Sequence, residues 1–215
     1  MAVKKQAETT IGGRQAAYSA RNRARLIKDA QEVLAEIGPS ATIEQIASHA
    51  EVSPTTVYKY FENKDQLFIE ALGEAWVGFL IWSSEIKTPG DRFERTLDIG
   101  RRVFWARQTH PLFAQMLHNS LNQMSEIIIL SDRGEGKKAF RAFAASGELK
   151  EDDFDERYVL WSSLYVGLLK SVFVTEDLSP EEANVAFGIG LSVWGVSEAR
   201  AKKIVSRPLG LAAVQ

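Results

Sequence analysis

The sequence has no cysteine, only three histidines, and no apolar run longer than the eight residues from Ala75 to Trp82, which Gly78 interrupts. Lack of cysteine excludes disulfide frameworks, thiol nucleophiles and thiolate metal sites, and is compatible with a reducing cytosol. The short apolar run falls far below the roughly 20 residues that span a bilayer, so no membrane helix is expected. The opening MAVKKQAETTIGGRQ carries two lysines with no apolar stretch behind them, which does not read as a secretory signal. The expected compartment is the cytoplasm. Net charge is nearly absent as well, at -2 from 26 Lys+Arg and 28 Asp+Glu, and 45% of the 215 residues are hydrophobic. Disordered, collagenous and uniformly basic chains are thereby excluded, and the length suffices for one large domain or two small ones.

What charge there is lies unevenly. Residues 1–28 hold seven cations (Lys4, Lys5, Arg14, Arg21, Arg23, Arg25, Lys28) against Glu8, a net of +6. Residues 1–64 hold nine cations and seven acids, and the remainder 17 cations and 21 acids, so +2 is followed by -4. A uniformly basic protein would suggest bulk nucleic-acid binding, whereas this distribution suggests a local contact surface with a body that does something else. Arg21, Arg23 and Arg25 read equally as the solvated face of a helix.

Periodicity is helical throughout. Leu26, Ala30, Val33 and Ile37 share a face over about 20–37, and Gly38-Pro39 ends that helix. Thr42 with Gln45 forms a capping box before a short second helix, Ser53-Pro54 opens a third, and Asn63 with Gln66 opens a fourth toward Glu85. Further helices are expected from Asp91 to before Pro111, from Leu112 to Leu130, near 137–145, from Phe154 to Val174, and from Ser179 to about Ile204. No strand alternation or repeat occurs. The expected fold is all-α, an N-terminal helix-turn-helix three-helix domain followed by a larger helical ligand-binding and dimerisation domain. The divisions are a flexible basic arm at 1–18, the head at 19–64, the body at 65–204 and a tail at 205–215.

Only Glu51-Val52-Ser53 separates helices two and three, which is helix-turn-helix spacing, though an αα-hairpin of any bundle has it too. The third helix exposes Pro54, Thr55, Thr56, Tyr58, Lys59 and Tyr60, hydroxyls, methyls and a cation suited to a major groove. Lys64 stands in the first turn of the fourth helix, where a cation opposes the macrodipole unless an anion such as a phosphate is near.

These residues carry a resemblance. The stretch Leu26 to Leu72, with T-IEQIA-HA-VS, then V-Y-YF, then NK--L, resembles the N-terminal domain of the TetR family of transcriptional regulators. Ala50 stands where glycine is common, and Glu62 where many members carry lysine or another polar residue. The resemblance implies a homodimer that binds a palindromic double-stranded DNA operator and is released by a small molecule, with no cofactor and no catalysis. Carried over, Thr42, Tyr58, Tyr60 and Lys64 are phosphate contacts, and Pro54, Thr55, Thr56 and Lys59 face the groove. The segment Lys4 to Arg25 is either an arm placing Arg14 or Arg21 in a minor groove or a tail with generic attraction.

The body is rich in aromatics, mostly core. For an apolar or aromatic effector the candidate set is Trp82, Phe104, His110, Phe113, Met116, His118, Asn119 and Tyr165. For the dimer seam it is Trp161, Leu164, Leu168, Val172, Phe187, Gly190, Val193 and Trp194, on helices too apolar for a single packing stripe. Two rivals stand beside this reading. One is an enzyme, against which no HExxH, GxSxG, Walker or GxGxxG pattern occurs; the other is a ligand-independent DNA binder, against which the acidic body speaks. The acids of 148–156 lack EF-hand spacing and read as a solvated loop, and no metal site is expected.

Overall fold

The computed structural model describes residues 2–131 and 135–211. Every regular element among them is helical: α1 (Ala2–Ile37), α2 (Ile43–His49), α3 (Pro54–Tyr58), α4 (Lys64–Glu85), α5 (Arg92–Arg101), α6 (Ala106–Thr109), α7 (Pro111–Ser131), α8 (Glu135–Ala145), α9 (Phe154–Phe173), α10 (Pro180–Gly190) and α11 (Glu198–Val205). Short 3₁₀ turns at Gly38–Ser40, Arg102–Trp105 and Leu191–Trp194 join some of them. The Thr42/Gln45 capping box forms as expected, and the helix starts expected at Asp91 and Ser179 are capping boxes too, with Glu94 and Glu182 making the reciprocal bonds.

Three boundaries differ from expectation. The stretch 2–18, expected as a flexible arm, is the first half of α1; its Ala, Lys, Gln and Glu are good helix formers that outweigh the cost of Gly12-Gly13, about 1 kcal/mol each. The helix expected between Asp91 and Pro111 divides, because Trp105 (φ -94°, ψ 15°) leaves helical geometry and His110 (φ -141°, ψ 72°) precedes a proline, which disfavours the α conformation. The last expected helix also divides: Gly195 at φ 77° takes the left-handed conformation that stops a helix, and Ser197 caps a new start, accepting from the Arg200 N-H at 3.3 Å.

Head and body are joined through α1, α4 and α7, which pack on one another. By length and composition alone the 22-residue α4 could cross a membrane. Here it is the helix running from head to body, with Leu67, Phe68, Ala71, Leu72, Trp76 and Phe79 buried. The acidic loop is knitted to the surface: Asp152 pairs with Arg157 at 2.7 Å, and Asp155 with Lys137 at 2.6 Å and Arg141 at 3.1 Å.

Candidate DNA-binding head and effector cleft

The head is held by α1. Asn22 Nδ2 donates to the Tyr60 hydroxyl at 3.2 Å, Arg23 pairs with Glu70 and lies 4.8 Å over the Phe61 ring, and Arg25 donates to the Ala50 carbonyl. Arg23 and Arg25 are therefore struts of the helix-turn-helix, while Arg21 stays exposed. The turn places its left-handed residue at Glu51 (φ 54°), so Ala50 (φ -76°) needs no glycine. That accounts for one departure from the family pattern.

Burial sorts the eight DNA-contact candidates. Thr42, Pro54, Thr55, Tyr58 and Lys59 are exposed, with Tyr58 at 53%. Thr56 is half-buried and its hydroxyl lies 3.0 Å from that of Ser53, the cap of α3, so it serves the turn as well as any ligand. Tyr60 is half-buried, its hydroxyl held by Asn22. Lys64 Nζ donates to the Pro39 carbonyl at 3.2 Å and lies 5.1 Å over the Phe68 ring. These two partners already offset its unfavourable place at a helix N-terminus, so its position does not by itself call for a phosphate.

The eight effector candidates do not meet in one place. Trp82, His110 and Phe113 surround Phe79: the His110 and Trp82 rings are 4.3 Å apart, and Phe79 stacks on Phe113 at 4.8 Å and 17°. Beside them a cleft of about 460 Å³ is lined by α1 (Gln31), α4 (Glu74, Ala75, Gly78, Phe79) and the start of α7 with His110, Phe113 and Met116. Burial lowers the His110 pKa below its ordinary value and so favours the neutral imidazole, and its Nδ1 is buried without a hydrogen-bond partner. Phe104 and Tyr165 belong to a separate cluster with Phe187, where the Tyr165 hydroxyl donates to Gly100 O at 3.0 Å. His118 Nδ1 faces Phe173 O at 2.6 Å, at the C-terminal end of α9. Asn119 Nδ2 donates to Ala35 O at 2.6 Å, clamping the body to the last turn of α1. The effector set drawn from the sequence omits Gln31, Glu74 and Phe79, which only tertiary packing brings to His110.

Asn119 precedes Ser120, whose φ of -132° breaks the helical geometry of α7. Asn119→Ala should lower stability by about 1 kcal/mol through the lost bond and speed amide exchange in the last turn of α1. Hydrogen exchange by mass spectrometry reads this directly; unaltered protection of residues 34–38 would show that Asn119 does not tie the two parts.

Burial sorts the seam candidates as well. Trp161, Leu168, Val172, Phe187, Gly190 and Trp194 are buried within this one chain, and Leu164 and Val193 are half-buried. A Cβ at Gly190 would meet Leu164 at 2.8 Å, and one at Gly188 would meet Val205 at 2.7 Å, so these glycines serve packing inside the protomer. Helix periodicity shows two apolar faces but not which one the protomer itself covers. The outer faces carry Val159 (62% exposed) and Leu160 (61%) on α9, and Val185 (55%) and Ile189 (71%) on α10.

Comparison with known proteins agrees with this architecture. Residues 26–71 match the family model for bacterial regulatory proteins of the tetR family. The HTH-type transcriptional regulator TcmR of Streptomyces glaucescens is 26% identical over 184 residues, 78% of this chain and 80% of that protein. Among solved structures, RolR in complex with resorcinol superposes with a TM-score of 0.70 at 19% identity, covering 90% of this chain and 97% of that one. A TetR-family regulator of Haemophilus influenzae gives 0.56 at 17% identity, covering 81% and 96%. Head and fold together define a helix-turn-helix DNA-binding transcriptional regulator. The head carries the tetR-family signature over residues 26–71, and the comparisons support a TetR-family transcriptional regulator.

Proposed function

We propose that the protein is a cytoplasmic, ligand-responsive repressor that binds a palindromic operator as a homodimer and is released by a small aromatic effector, and that it has no catalytic role. The observation that carries this reading is the cleft of α1, α4 and α7, which puts a ligand-sized space where the DNA-binding head joins the body. Occupying it must alter how α4 leaves the head, and two half-sites roughly one DNA turn apart tolerate little change in head spacing. To go from mostly bound to mostly released, the effector must prefer the released arrangement by up to about 5.5 kcal/mol. Of the eight effector candidates, Trp82, His110, Phe113 and Met116 support the reading through their place in or beside the cleft.

At the DNA, Thr55 and Pro54 are the groove-facing pair, Thr42 and Tyr58 contact phosphate, and Lys59 contacts phosphate or guanine. Thr56, Tyr60 and Lys64 add to this surface from positions already held by internal bonds. Arg21, the exposed cation of α1, contributes an adjacent phosphate or minor-groove contact. Electrophoretic shifts on an operator selected from genomic fragments, titrated with salt, test the assignment. Lys59→Ala should reduce the salt slope by about one unit, and Thr55→Ala should relax preference at one base step while leaving the slope unchanged. Wild-type affinity and slope in both variants would remove α3 from the interface.

A further inference from the structure

We propose that the cleft at the α1, α4 and α7 junction takes a small aromatic molecule that presents hydroxyl groups and carries no anionic charge. The inference rests on the reading of this cleft as the effector site and adds the chemistry of its occupant. Its wall is aromatic: Phe79 and Phe113 stack at 4.8 Å, and His110 meets Phe79 edge-on at 5.0 Å. The volume of about 460 Å³ lies within the range of small-molecule sites.

The polar groups decide the rest. No lysine or arginine is among the lining residues, whereas Glu74 brings a carboxylate to the edge. A carboxylate or phosphate ligand would lose water beside a like charge with no cation to receive it. Gln31 gives one of its two Nε2 hydrogens to the Ala71 carbonyl at 3.0 Å, which leaves Oε1 as an acceptor and one neutral N-H as a donor. The Nδ1 of His110 is buried out of a ligand's reach, so the imidazole meets the cleft through Nε2. Two acceptors and an imidazole ask for one functional group: a hydroxyl donates to a carboxylate or amide oxygen and can either give a hydrogen bond to a neutral imidazole or take one from it. Because Gln31 belongs to α1, such a ligand touches the DNA-binding head itself.

Calorimetric titration of the full chain with three ligands sharing one ring system tests this: naphthalene-2,3-diol, 2-naphthoate and 2-methoxynaphthalene. The diol should bind about tenfold or more tightly than either of the others, the size of a hydrogen bond to a charged group. Glu74→Gln should narrow the gap between diol and naphthoate. His110→Phe, which keeps a ring against Phe79, should weaken the diol several-fold and leave the methoxy compound unchanged. Naphthoate binding as tightly as the diol, or a diol affinity indifferent to both substitutions, would overturn the assigned chemistry while leaving the cleft an aromatic site. Failure of all three ligands to bind a protein that still binds its operator would overturn the effector cleft itself.

Discussion

Asp98→Ala should lower the unfolding free energy by about 3–5 kcal/mol, because it leaves the buried Arg101 guanidinium without a counter-charge and Arg207 with Glu94, at 2.9 Å, as its remaining carboxylate. Asp98 is wholly buried, and its carboxylate accepts from Arg101 Nη1 at 2.8 Å, Arg207 Nη2 at 2.9 Å and the Thr88 hydroxyl at 2.7 Å. Arg101, equally buried, donates onward to Asn184 Oδ1 at 2.7 Å and Val205 O at 2.8 Å, so its guanidinium joins α5 to α10 and the end of α11. Burial lowers the Arg101 pKa from its ordinary value, and Asp98 is the charge that opposes that loss. Neighbouring Arg102 fastens the chain beyond α11 by donating to Leu209 O at 2.8 Å, and reaches the end of α4 through Ser83 O at 2.8 Å. Asp98→Asn, which keeps the shape and one acceptor, should fall between wild type and alanine. Urea unfolding followed by tryptophan fluorescence measures all three; a loss under about 1 kcal/mol for alanine would mean that water or rearrangement compensates the freed arginines.

None of this network was legible in the amino-acid order. Arg101 and Arg102 lie in a stretch rich in charge, where periodicity assigns polar residues to solvent, and their partners come from residues 83 to 209. The legible features were those whose physics is confined to a few residues. Thr42/Gln45, Ser53-Pro54 and Asn63/Gln66 are each satisfied within one turn, and the structure makes those bonds. The head could be read for that reason, together with its motif. The aromatics could not be divided in advance: Phe113 and Phe104 have the same composition signal, yet one lies on the cleft and the other packs 6.1 Å from Tyr165 in a closed cluster. Helix breaks at Gly195 and His110 were announced by glycine and by the residue before proline, but such residues also occur inside helices, and the surrounding packing decides.

Substituting both Leu160 and Ile189 by glutamate should convert the protein to monomers and weaken operator binding by about a hundredfold or more, because a lone head loses the effective concentration supplied by its twin. The two residues stand on the outer faces of α9 and α10, 61% and 71% exposed, beside Val159 and Val185. These four large apolar side chains stand exposed on two helices that pack on each other, and the single protomer does not cover them. In the proposed homodimer a second copy related by two-fold symmetry would cover these side chains with the same face in a four-helix contact, as a palindromic operator requires. The choice of positions matters. Leu168, read from sequence as a seam residue, is only 8% exposed, so Leu168→Glu would bury a charge in the protomer and unfold it, imitating loss of the dimer. Leu160 and Ile189 avoid that ambiguity, since their side chains already face water in the single chain and the glutamates should leave far-UV circular dichroism at wild-type helicity. Sedimentation velocity at micromolar concentration separates the outcomes: a double variant that still sediments as a dimer would move the interface off these faces, and a monomeric variant with undiminished operator affinity would show that one head suffices.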